Sequence, residues 1–294
     1  MARDPLAPVR ERLIEVTSAW ESAASLGQIR GSFVDYLVEV GPRGAAMAAP
    51  RYQSIGRGLD GAWIGQGERC ALYCHGGGFQ IGGVASHAGL IARLAEAARM
   101  RMLAFDYRLA PEHRYPAASD DAFRAYEWLL EQGEQPVAIV GDSAGAALTL
   151  LTAQRARDAG LALPRRLVLI SPWLDLSMQS ESYSTLADDD PFSKPAQLRI
   201  MAKTYAGRDG PALDSPAVSP LWGDLSGLPP IKVHSGAADI TVGDSGTLVE
   251  RVRAAGGHAD IRIFPGMCHH FQIYEALPEA QESLDALGLD LRSA

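Results

Sequence analysis

Apolar residues recur along this chain in two rhythms. Val9, Leu13, Val16 and Trp20 return at steps of four, three and four, the spacing of one helix face. A looser, Gly-rich stretch without clear periodicity follows, up to about Gly67. Beyond it, short apolar runs alternate with helix-like segments. The pattern predicts strands over residues 69–74, 102–106, 137–140, 167–170, 231–234 and 261–264. Helices are predicted over residues 86–99, 117–131, 144–156, 245–255 and 278–289. Most of the strand runs are apolar rather than alternating, as in strands covered on both faces. An α/β fold follows, with a mostly parallel sheet between two layers of helices.

Residues 177–216 break this rhythm. They are polar, carry Asp188-Asp189-Asp190-Pro191, and hold one helix-like piece near residues 198–205. The segment is too long for a plain connection in a compact domain. It reads as an insertion that packs with the N-terminal helix as a small helical cap. The expected division is 1–45 with 177–216 as the cap, and 46–176 with 217–294 as the main α/β domain.

Composition narrows the class. The chain has 294 residues, 47% of them apolar and 21% charged, which suits one large globular domain with or without an appendage. A net charge of −8 repels phosphate backbones and anionic lipid, so neither nucleic acid nor a membrane surface is expected as a partner. Cys70, Cys74 and Cys268 are too few and odd in number for a disulfide framework. Cys70 and Cys74 sit in a predicted strand and read as small apolar side chains. The first residues lack the apolar core of a secretion signal, and no run approaches the roughly 18 apolar residues of a membrane span. A cytoplasmic protein is expected.

The candidate chemistry begins at Gly141-Asp142-Ser143-Ala144-Gly145, a G-x-S-x-G motif. By itself this pattern is modest. Here it stands between a predicted strand and a predicted helix, the context of a tight strand-to-helix turn that lifts a serine hydroxyl above the sheet. A Cβ at either flanking glycine would crowd that turn. The helix N-terminus behind Ser143 supplies positive potential where an oxyanion forms. Earlier, His75-Gly76-Gly77-Gly78-Phe79 follows a predicted strand, and its glycines let backbone N–H groups face a site. A phosphate loop would continue with Lys-Ser/Thr, which is missing. An oxyanion-binding loop fits better.

A serine nucleophile needs a base held by an acid. In this strand–turn–helix setting the chain order is Ser, then Asp or Glu, then His. Downstream of Ser143 stand His234, His258, His269 and His270. His269 follows the strand at 261–264 in a loop, at the carboxyl edge where sites in such sheets lie. His234 falls inside a strand and His258 in a turn, so both read as structural. The acid belongs after the strand at 231–234, where Asp239 is favoured. Asp244 is the second candidate, although an aspartate there also suits a helix N-cap. Gly243-Asp244-Ser245-Gly246 resembles the serine motif of chymotrypsin-like proteases, but those are all-β proteins with the reverse residue order. His75, His87, His269 and His270 show no H-x-x-x-H spacing, and no C-x-x-C exists, so no metal is expected.

Several ordered blocks together resemble the hormone-sensitive-lipase family of esterases, in its GDSAG subgroup. They are His75-Gly76-Gly77-Gly78-Phe79, Asp106-Tyr107-Arg108-Leu109-Ala110-Pro111-Glu112-His113, Tyr115-Pro116-Ala117-Ala118, the Ser143 motif, Ser171-Pro172-Trp173, Ser219-Pro220-Leu221, Gly227-Leu228-Pro229-Pro230 and Gly266-Met267-Cys268-His269. The resemblance implies an α/β-hydrolase fold and a triad of Ser143, Asp239 and His269. It also implies oxyanion donors from the backbone N–H of Gly77, Gly78 and Ala144, and a mobile cap. Family members cleave small-molecule esters of short to medium acyl chains through an acyl-enzyme, without a cofactor, and dimers are common. Amidase or lactonase activity on the same triad is the alternative, and a non-catalytic small-molecule receptor the remote one. Two departures stand out. The family's Asp-Pro-Leu-x-Asp is here Asp239-Ile240-Thr241-Val242-Gly243-Asp244, and its His-Gly-Phe is His269-His270-Phe271.

Overall fold

The computed structural model describes residues 4–42, 50–56 and 58–294. The expected boundary between residues 45 and 46 lies outside the described residues. The elements run α1 (Ala7–Glu21), α2 (Leu26–Val40), β1 (Arg51–Ser54), β2 (Asp60–Gly65), β3 (Cys70–Cys74), α3 (Val84–Ala98), β4 (Arg101–Phe105), α4 (Ala117–Glu131), β5 (Ala138–Asp142), α5 (Ala144–Asp158) and β6 (Arg166–Ile170). They continue with α6 (Ser182–Thr185), α7 (Pro195–Ala206), β7 (Ile231–Gly236), α8 (Val242–Ala254), β8 (Ala259–Phe264) and α9 (Pro278–Ser293). Among the described residues the strands form one 8-stranded sheet in the order β1-β2-β4-β3-β5-β6-β7-β8. From β4 to β8 the neighbours are parallel; β1–β2 and β2–β4 are antiparallel.

The apolar strand runs are explained by two cores, one on each face of the sheet. Leu72, Cys74, Ile139, Leu167 and Leu169 enter the core beneath α4, α5 and α8. Their immediate neighbours Ala71, Tyr73, Ala138, Val140, Val168 and Ile170 enter the core beneath α3 and α9. Side chains alternate across a strand, so a strand serving two cores has no polar face. Helix α5 is buried along almost its whole length, and Ala144, Gly145, Ala146 and Ala147 let it lie close against the sheet.

Three elements fall in the stretch that reads as loose. Helix α2 is regular, with Ser25 as an N-cap accepting from the Gln28 N–H, and it buries Phe33, Tyr36 and Leu37. Its stripe was present at Ile29, Phe33, Tyr36, Leu37 and Val40, but Gly27 and Gly31 weaken it. Strand β1 exposes all its residues, so no apolar pattern marks it. Strand β2 buries Ala62 and Ile64 on one side, a signal too short to separate from the surrounding glycines. These two strands depend on sheet pairing, β2 with β4 and β1 with β2, rather than on local preference.

Candidate active site

The chain emerges from β5 into a turn at Ser143, which has φ 50° and ψ −120°, and enters α5 directly. A Cβ on Gly141 would lie 2.3 Å from the Gly145 carbonyl oxygen, and one on Gly145 would lie 2.0 Å from that of Cys74. Nothing but glycine fits at either position. The turn is held on both sides: the Ser143 N–H donates to the Ile170 carbonyl at 2.9 Å, and the Trp173 N–H to the Ser143 carbonyl at 3.1 Å.

His269, in the loop after β8, places Nε2 at 2.8 Å from the Ser143 hydroxyl oxygen. Its Nδ1 lies 2.9 Å from Oδ1 of Asp239, in the loop after β7. That oxygen also accepts from the Thr241 N–H at 2.7 Å and the Thr241 hydroxyl at 2.8 Å. With Nδ1–H donating to Asp239, Nε2 is free to accept the serine proton. Burial pushes the Asp239 pKa up, but the His269 ring and the Thr241 donors outweigh it and hold the carboxylate below its ordinary range. Burial pulls the His269 pKa down, and Asp239 more than restores it, leaving it above the usual imidazole value.

Ser143, His269, Gly77 and Gly78 line one cavity of about 370 Å³. Gly77 and Gly78 have φ of 111° and 60°, a conformation that favours glycine. Ala144 is the first residue of α5, where backbone N–H groups have no partner within the helix. The wall facing Ser143 is largely apolar. Trp20, Leu26, Ile29 and Phe33 come from the N-terminal helices, and Phe192, Leu198, Ile200 and Met201 from the segment after β6.

The other candidates lie elsewhere. Asp244 is in the first turn of α8, three residues beyond the N-cap residue Thr241, so it is not the cap. Its Oδ2 accepts from the N–H groups of Leu174 and Asp175 and from the Tyr183 hydroxyl. Burial pushes its pKa up to about 7 against those three donors. Ser245 is buried and pairs with the Ser235 hydroxyl at 2.8 Å, consistent with a structural reading of that protease-like tetrapeptide. His234 contacts Ser283 at 2.9 Å and is held neutral by burial, with its pKa pushed down to about 3. His75 stacks on Tyr107 with ring centroids 4.1 Å apart, and the Tyr107 hydroxyl donates to the His75 carbonyl.

One residue of the site was missed. Asp190 reads in the sequence as part of a solvated acidic run, yet it is wholly buried. Its Oδ1 accepts from the N–H of Phe192 at 2.9 Å and Ser193 at 3.2 Å. Its Oδ2 accepts from the N–H of Ile240 at 3.1 Å and His269 at 3.4 Å. Burial, then the Asp239 charge, push its pKa up to about 6. One carboxylate thus ties the insertion to the loops bearing Asp239 and His269. Only the Pro after the three aspartates hinted that this run turns inward.

Comparison with known proteins decides the lineage. A family profile described as alpha/beta hydrolase fold matches residues 71–273. The chain belongs to the α/β-hydrolase family. Within it, the chain is 39% identical to an acetyl-hydrolase of Streptomyces hygroscopicus over 232 residues, 78% of this chain and 77% of that one. It is 38% identical to an esterase of Acinetobacter venetianus, over 72% of this chain and 71% of the relative. Among solved α/β-hydrolase structures, an esterase of the bacterial hormone-sensitive lipase family superposes with a TM-score of 0.90 at 31% identity, covering 100% of this chain and 99% of that one. The resemblance drawn from the sequence blocks is therefore to the right branch of the family.

Proposed function

We propose that the protein is a carboxylesterase in which Ser143 is the nucleophile, His269 the general base and Asp239 the acid that orients it. The observation that carries this reading is the continuous relay of 2.8 Å from Ser143 to His269 and 2.9 Å from His269 to Asp239. In the first half-reaction Ser143 attacks the ester carbonyl while His269 takes its proton. His269 then protonates the departing alkoxide, leaving an acyl-enzyme. In the second half-reaction His269 deprotonates water, which attacks the acyl carbonyl, and then returns that proton to the departing Ser143 oxygen as the acid is released. The backbone N–H groups of Gly77, Gly78 and Ala144 are the proposed oxyanion donors, each worth about 3–4 kcal/mol in comparable chemistry.

The proposed cap consists of the N-terminal helices together with residues 177–216, because both segments supply the apolar wall across from Ser143. Esters of short to medium acyl chains fit a cavity of about 370 Å³ with such a wall, and the acetyl-hydrolase relative points the same way. No described helix is long and apolar enough to cross a membrane. A cytoplasmic setting agrees with Cys70, Cys74 and Cys268 being free thiols. A homodimer is the proposed assembly, with β8 at the sheet edge and Ile263 half-exposed on it.

The test is a set of initial rates on p-nitrophenyl esters from acetate to palmitate, for wild type and Ser143→Ala. A maximum at short chains that vanishes in a folded Ser143→Ala variant is the expected outcome. Full activity in that variant overturns the assignment of the nucleophile. Inactivity of the wild type on every ester, with activity on amides or lactones, overturns the choice of substrate class.

A further inference from the structure

Beneath the cavity floor, beside the proposed triad but not part of it, three polar side chains from distant segments converge. His87 comes from the first turn of α3, Asp142 from the end of β5, and His270 from the loop after β8. His87 Nε2, Asp142 Oδ2 and His270 Nε2 lie within 4.8 Å of one another, and all three residues are buried. Asp142 Oδ2 is 3.4 Å from His87 Nε2 and 3.1 Å from His270 Nε2. Despite this proximity, none of the three atoms makes an aligned hydrogen bond. A buried polar atom left in that condition is costly, and three aimed at one another mark a place for a shared ligand.

The spacing identifies the ligand. Zinc binds imidazole nitrogen and carboxylate oxygen at about 2.0–2.2 Å, which sets tetrahedral donors about 3.3–3.5 Å apart. The observed 3.4 Å matches that separation and the 3.1 Å falls slightly short of it, while neither pair is aligned as a hydrogen bond. Two imidazoles and one carboxylate are a common three-residue zinc set with a fourth position left for water. The remaining polar atoms of two ligands are already held. The Tyr73 hydroxyl donates to Asp142 Oδ1 at 2.8 Å, and His87 Nδ1 contacts the Ser86 hydroxyl at 2.8 Å. Such contacts orient metal ligands. His270 also lines the cavity.

We propose that His87, Asp142 and His270 form a binding site for a divalent transition metal ion of the zinc class. The spacing of residues along the chain concealed it, since no two of the ligands fall on one helix face. The ion would couple Asp142, the residue before Ser143, to His270, the residue after His269. It therefore cross-links the end of β5, the first turn of α3 and the loop after β8, and its binding does not depend on the esterase reading.

The experiment uses the full chain, stripped with a chelator and dialysed against zinc chloride. Bound zinc is measured by elemental analysis, with wild type, His270→Gln and His87→Gln in parallel. The expected result is one zinc per wild-type chain, a raised melting temperature, and affinity reduced more than ~10-fold in each variant. Absence of stoichiometric zinc in the wild type overturns the proposal, as does equal zinc in both folded variants. Should a variant fail to fold, X-ray absorption on the zinc-loaded wild type decides. Two imidazoles in the zinc shell support the site, and a shell without them overturns it.

Discussion

The most informative single residue is Asp190. It has no place in the proton relay, yet it holds the backbone N–H groups of both His269 and Ile240, the latter next to Asp239. The proposed proton relay, with contacts of 2.8–2.9 Å, is sensitive to small displacements of either loop. Asp190→Ala is therefore expected to lower kcat about 10- to 100-fold on a short-chain ester. Asp190→Asn keeps an acceptor oxygen and is expected to lose less. Steady-state kinetics on the folded variants check the ranking, and equal kcat in all three proteins refutes it. Asp244 makes a different prediction. Its folded pKa is raised to about 7, while an unfolded aspartate titrates near 3.8. Between those values the folded chain holds a proton that the unfolded chain has released. Stability from this group is therefore present at low pH and lost as pH rises from about 4 to about 7. Asp244→Asn does not titrate. Its unfolding free energy relative to wild type is expected to rise between pH 5 and pH 8, measured in urea at both.

At the scale of elements, the salient feature is how α2 is attached. Arg30 donates to the carbonyls of Gln80 at 2.7 Å and Ala110 at 3.0 Å, and its guanidinium forms a two-pronged pair with Glu112. The helix is thus bound to the loop that carries Gly77 and Gly78. The Glu112 side chain is half-exposed, so the ion pair itself adds little; the two carbonyl contacts matter more. Arg30→Ala is expected to cost about 1–3 kcal/mol of stability. It is also expected to raise KM more than it lowers kcat, because the wall shifts while the relay stays. Thermal melts and a kcat–KM comparison test both parts. The same scale shows why β1, β2 and α2 escaped the sequence pattern while the elements from β3 onward did not. Strands β3 to β6 are buried on both faces and announce themselves as apolar runs, and β8 shows an alternating one. Strands β1 and β2 sit at the sheet's antiparallel end, where exposure erases the pattern of β1 and the apolar signal of β2 is short.

For the whole molecule, the cavity is a joint product of the N-terminal helices and the segment after β6. Trp20 contributes to its wall, packs on Phe33 with ring centroids 5.7 Å apart, and donates its indole N–H to Ser32. It stands edge-on to Phe192 from the other segment, at 6.4 Å. Removing it lengthens the apolar volume without touching the relay. Trp20→Ala is expected to raise the ratio of octanoate to butyrate ester turnover by ~10-fold or more, since hydrophobic pockets discriminate on that order per group accommodated. An unchanged ratio would place the acyl chain elsewhere in the cavity.

The sequence alone determined the alternating architecture from residue 69 onward, the elbow at Ser143, the glycine loop, and the order in which acid and base follow. These are local or one-dimensional features. A turn that excludes every Cβ demands glycine on the spot, and a strand between two cores must be apolar at every position. The sequence favoured Asp239 over Asp244 by its place after the strand, but only the tertiary structure shows which of the two aspartates meets His269. The fold turns Asp239 to the ring and Asp244 to the backbone of Leu174 and Asp175. It alone buried Asp190 out of an acidic run, and it alone gathered His87, Asp142 and His270. Their meaning lies in contacts between segments far apart in the chain, and proximity of that kind leaves no periodicity to read.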